Sequence, residues 1–171
     1  MTDSSSGVST LLNRISITIG HAASWLTLAM VLVTFVIVVM RYAFDSGVIW
    51  LQESLTWMHA AVFMLGAAYT LQCDDHVRVD IFYREMSAKR KAWVNLLGVL
   101  IFLWPLCAFF IVESWGYVAA SWGVAEASRD AGGLPYPALP ILKSILIVMP
   151  CTVALQGLSI LLTSITAIRE R

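Results

Sequence analysis

Four stretches without a single Lys, Arg, Asp or Glu divide this sequence: 26 residues between Arg14 and Arg41, 20 between Glu53 and Asp74, 21 between Lys91 and Glu113, and 25 between Lys143 and Arg169. About 20 apolar residues, rising about 1.5 Å each, cover the roughly 30 Å hydrocarbon core of a bilayer, so every gap is long enough to cross one. The spacing predicts an all-α integral membrane protein of one domain over residues 1–171, with four transmembrane helices near 18–40, 53–73, 92–122 and 144–168. The third pattern overshoots a bilayer, because ESWGYVAASWGV (113–124) stays helix-compatible and is expected to emerge from it. The first apolar run exceeds the roughly 7–15 residues of a signal peptide and no A-x-A site follows, so it is expected to be retained.

Composition agrees and narrows the function classes. The chain is 59% hydrophobic and 13% charged, where a soluble domain is about 25% charged. Eleven basic residues balanced by eleven acidic ones give no basic face, which argues against nucleic acid as a partner. The three cysteines share no CxxC spacing, and Cys107 and Cys151 sit inside apolar runs, so they read as packing residues.

Short loops rich in Lys and Arg stay on the cytoplasmic side. The N-terminal segment, the second loop and the C-terminal segment hold eight basic residues (Arg14, Arg78, Arg84, Lys89, Arg90, Lys91, Arg169, Arg171), and the other two loops hold three (Arg41, Arg129, Lys143). Both termini are therefore expected in the cytoplasm. Tyr42, Trp50, Trp57, Trp115, Tyr117, Trp122 and Tyr136 would then lie near the outer boundary, where amphipathic rings favour the headgroup layer.

The charged stretch DDHVRVD (74–80) would follow helix two on the cytoplasmic surface, where solvation of its charges costs little. Metal binding by Cys73, Asp74, Asp75 and His76 would need adjacent residues to converge, yet their side chains point apart in either a strand or a helix; a structural junction is the simpler reading. Val77, Val79 and Ile81 fall on one side of a short extended or interfacial segment. A haem or quinone site on His21, His59 or His76 would need inward-facing histidines at matched depth; His21 and His76 are expected near the cytoplasmic ends of their helices and His59 nearer the outer end, and two histidines at the bundle edge are a weak signal. Of the acids, Glu53 and Glu113 come closest to a span; Glu53 has a first-turn role available at the helix dipole, and proton coupling is the alternative. Interior polarity is otherwise neutral, as in Gln156, His59, Thr34 and Ser159, groups that tie helices together. Ala60, Ala61, Gly66, Ala67 and Ala68 are expected to let helix two pack closely, and Pro105 and Pro150 to kink their helices. There is no internal inverted repeat, no Walker A and no nucleophile motif.

The series MRYAFDSGVIWLQES, FMLGAAYTLQ and HVRVDIF, in that order, resembles the small membrane subunit of tripartite ATP-independent periplasmic (TRAP) transporters, the DctQ-like family. Its carriers are Arg41, Tyr42, Trp50, Glu53, Gly66, His76, Arg78 and Asp80. The resemblance implies a non-enzymatic bacterial inner-membrane subunit without a cofactor, bracing a large membrane subunit of a sodium-driven symporter for organic acids. A periplasmic substrate-binding protein would deliver the cargo. Two alternatives are a small redox subunit anchoring haem or quinone through histidines and a self-sufficient exporter using Glu53 or Glu113.

Overall fold

The computed structural model describes residues 3–73 and 83–169, and the stretch 74–82 lies outside them. Among the described residues every regular element is helical. Helix α1 spans Asp3–Ala43 and α2 spans Ile49–Gln72. Helix α3 runs over Ala88–Gly123 and α4 over Ala138–Arg169.

All four begin earlier than the charge-free gaps suggested, α1 by fifteen residues. Hydropathy locates only the part of a helix that needs lipid, whereas backbone bonding and packing carry the helix further. At about 1.5 Å per residue α1 is roughly 60 Å long, about twice a hydrocarbon core. Its polar start is held by α4 through Asn13 and Ser16. Among the described residues three helices are long and apolar enough to cross a membrane: Gly7–Ala43, Ala88–Gly123 and Ala138–Arg169. Helix α2, at 24 residues, has the length, but Gln52, Glu53, His59 and Gln72 make it less apolar.

Successive helices run up and down. Helix α4 is the hub, packing on each of the other three, while α1 also packs on α2. Its buried side includes Ile145, Gln156, Gly157, Ser159, Leu161 and Ser164. The core is built from small residues, as close helix approach in lipid requires. In α2 the tight positions are Ala61 at 1% and Ala68 at 0% exposure. The expectation for Gly66 is corrected: a Cβ there would meet nothing within 4 Å. The close approach is at Gly20 of α1, where a Cβ would lie 2.7 Å from the Tyr69 Cβ of α2.

The two helix-interior prolines are accommodated differently. A π turn at Val99–Leu103 ends two residues before Pro105. Proline removes a backbone donor and its ring crowds the preceding turn, so a widened turn relieves both. Trp104 of that region donates its indole N–H to the Ala154 carbonyl of α4 at 3.2 Å. Pro150 is fully buried within an unbroken α4.

Candidate functional site at the loop end

The α1–α2 turn and the α3–α4 loop meet at one end of the bundle. Helix α1 closes at Asp45 in the left-handed region (φ 50), with the Ser46 N–H returning to the Met40 carbonyl at 3.0 Å. At the other connection α3 ends in a Schellman motif: the Glu126 N–H reaches the Ser121 carbonyl and the Ala125 N–H the Trp122 carbonyl. Ala125 occupies the left-handed position (φ 48) that glycine favours.

That cap sets Glu126 for its side-chain bonds. Its carboxylate accepts from Ser121 Oγ at 2.6 Å and pairs with the Lys143 ammonium. The Lys143 Nζ also lies 4.1 Å from the centre of the Tyr117 ring. Lys143 and then Ser121 stabilise the ionised form and hold the Glu126 carboxyl below the usual carboxylate range.

Glu53 makes the second fastening. Its carboxylate accepts from Ser128 Oγ and from the Leu134 backbone N–H, the latter at 2.6 Å. Because α2 starts at Ile49, Glu53 stands beyond the first turn. The expected first-turn role is therefore corrected: the carboxylate serves donors of the α3–α4 loop. Nearby, the Trp50 N–H donates to the Gly132 carbonyl at 3.1 Å and the Trp57 indole to the Ala138 carbonyl at 3.0 Å. Trp122 donates to Ser144 Oγ and stands edge-on to Tyr136. Loop, α2 and α4 are thus joined as one polar clasp ringed by exposed aromatic side chains.

Of the residues singled out in sequence, Trp50 and Glu53 enter this clasp. Arg41 and Tyr42 lie exposed at the end of α1, with Tyr42 84% exposed. Gly66 is thirteen residues along α2 from Glu53, roughly 20 Å away. His76, Arg78 and Asp80 lie outside the described residues, as do the remaining parts of DDHVRVD. His21 stands beside Tyr69, ten residues beyond His59 along α2, so the two histidines sit at different depths, about 15 Å apart along the axis. Among the described residues no group of three His, Cys, Asp or Glu is placed to hold a metal. Glu113 is exposed on α3, ten residues before its end.

Sequence reading missed Ser128, Glu126 and Lys143 as partners. Their one signal was placement, polar residues just outside the apolar gaps. A second polar group occupies the other half of the bundle. Ser16 Oγ donates to Gln156 Oε1 at 2.8 Å, and Asn13 Oδ1 accepts from Gln156 Nε2 and Ser159 Oγ, each at 3.0 Å. Gln156 and Ser159 thereby tie helices together as expected, whereas Thr34 bonds the Met30 carbonyl of its own helix.

A family model described as "Tripartite ATP-independent periplasmic transporters, DctQ component" matches residues 30–169. The chain belongs to this DctQ family. The C4-dicarboxylate TRAP transporter small permease protein DctQ of Vibrio cholerae serotype O1 is 29% identical over 89 residues, which cover 52% of this chain and 38% of that relative. No solved structure matches. As a DctQ component with three apolar membrane-length helices, the chain is a multi-pass membrane protein of a transport system. The DctQ match includes both carboxylates of the clasp and all of α2, α3 and α4. Asn13 and Ser16 precede it.

Proposed function

We propose that this chain is the non-enzymatic small subunit of a sodium-driven organic-acid uptake transporter, bracing a large permease subunit in the bacterial inner membrane. The observation that carries this reading is how interior polarity is used. Asn13, Ser16, Gln156 and Ser159 satisfy one another, and no buried side-chain N or O atom among the described residues lacks a partner. The charged groups of the clasp sit at the loop end, where water solvates them. A bundle fastened in this way suits a rigid, lipid-embedded support for a moving partner. The large subunit would carry the substrate and sodium sites, and a periplasmic binding protein would dock where both subunits meet water. C4-dicarboxylate cargo in the Vibrio relative's name supports the substrate class.

The same reading takes α2 as a fourth crossing and puts both termini in the cytoplasm. Cysteines engineered at exposed Asp130 and Ser87, treated on intact cells with an impermeant thiol reagent, should label at Asp130 alone; labelling at Ser87 alone inverts the topology. Function is tested in proteoliposomes supplied with the binding protein and a sodium gradient. Uptake is expected with this chain and the large subunit together, with none from this chain alone. Uptake by this chain alone, or full uptake by the large subunit without it, would refute the brace.

A further inference from the structure

A groove of about 780 Å³ opens on the side of the bundle, away from the clasp. One wall is a single face of α3, Val94, Gly98, Phe102 and Leu106, and the facing wall comes from α4, including Ile160 and Thr163. From Val94 to Leu106 the groove runs twelve residues, about 18 Å, close to the roughly 15 Å depth of one leaflet. Polar atoms deeper in it, on Asn13, Gln156 and Ser159, are bonded to one another. A hydrocarbon chain can therefore lie there without stripping a hydrogen bond.

The rim supplies the other half of the argument. Tyr83 lines the mouth and bonds Asn95 at 3.1 Å. The Lys91 ammonium stands 5.3 Å from the Tyr83 ring centre and donates to the Arg84 carbonyl. Arg84, Lys89 and Arg90 are exposed alongside, so residues 83–91 carry four cations against the one carboxylate of Glu85. Along α3 the order is thus cationic rim, then apolar trough of one-leaflet length. Phospholipids with acidic headgroups have that order of charge and hydrocarbon.

We propose that the groove holds an acyl chain of an acidic phospholipid whose phosphate lies at the Arg84–Lys91 rim. Basic side chains near a membrane surface each favour acidic lipid by about fivefold. Gly98 offers a direct test, because it lines the groove and a Cβ added there meets nothing within 4 Å.

The experiment is native mass spectrometry of the full chain released from micelles containing equal phosphatidylglycerol and phosphatidylcholine. Wild type should retain one lipid, phosphatidylglycerol over phosphatidylcholine by about fivefold or more. Gly98→Phe should keep its helical circular dichroism and lose the lipid, and Thr163→Leu, on the opposite wall, should weaken retention. Combined Arg84→Gln, Lys89→Gln, Arg90→Gln and Lys91→Gln should leave a lipid bound but abolish the preference. Equal retention of both lipids by wild type, no retained lipid, or a folded Gly98→Phe that retains as much as wild type would overturn the proposal. Loss of the lipid on adding the large membrane subunit would assign the groove to a partner helix instead.

Discussion

The loop end and the α1–α4 seam are both fastened by side-chain hydrogen bonds, but with different chemistry. The clasp uses ionised groups, Glu53, Glu126 and Lys143, on hydroxyls and a backbone amide. The seam uses only neutral amides and hydroxyls, with Gln156 3% exposed. Desolvation explains the division, since a charge is cheap at a watery edge and expensive among apolar helices. Neutral groups that fully satisfy one another can sit inside at little cost. The molecule therefore closes the α1–α4 seam with neutral bonds alone and reserves charged ones for the loop end.

The sharpest way to break this contrast is to move a charge across it. Gln156→Lys places an ammonium in the seam, and a cost of about 2.5–3.5 kcal/mol is expected, read as lost monodisperse protein and a lower Tm. Tolerance of Gln156→Lys would mean that water reaches the seam. Next in size, Gly20→Val drives a side chain into Tyr69 and should cost about 1–3 kcal/mol by forcing α1 from α2. Gly66→Leu meets open space and should stay within about 0.5 kcal/mol in the isolated chain, as measured by thermal unfolding in detergent. Equal costs at the two glycines would remove the close-approach argument.

Smaller effects belong to the loop. Ala125→Gly relieves a left-handed alanine and should stabilise by about 1 kcal/mol, visible as slower proteolysis within residues 124–137. No gain would show that the Schellman turn carries no strain.

The same contrast explains what the sequence made legible. Charge-free gaps revealed four helices because burying charge is costly, so the rule works wherever lipid must be crossed. It misplaced helix starts, since Ile49 to Gln52 and Ala138 to Lys143 continue their helices without belonging to a gap. Gln156 and Ser159 stood out as neutral polar residues in an apolar run, and both tie helices. Their partners Asn13 and Ser16 did not, because they lie at the polar edge of the first helix, where such residues are ordinary. Glu53 was recognisable as an acid at a span boundary, but its donors sit in a loop that only the fold brings near. Glu126 and Lys143, seventeen positions apart, follow no local periodicity. Edge charges announce themselves in sequence; the groups they hold do not.

The division between charged loop and neutral seam is tested most directly by hydrogen exchange at neutral pH and near pH 3, corrected for intrinsic rates. Ordinary carboxylates titrate near pH 4. Lys143 and Ser121 lower the Glu126 carboxyl below its usual range, so its contribution is full above that range and is lost as pH falls through the lowered value. Residues 124–137 should lose protection on acidification, while α1 around Asn13 and α4 around Gln156 keep theirs. Glu126→Gln should already show the weakened loop at neutral pH. Protection lost equally in loop and seam, or a loop indifferent to both acid and Glu126→Gln, would contradict the account.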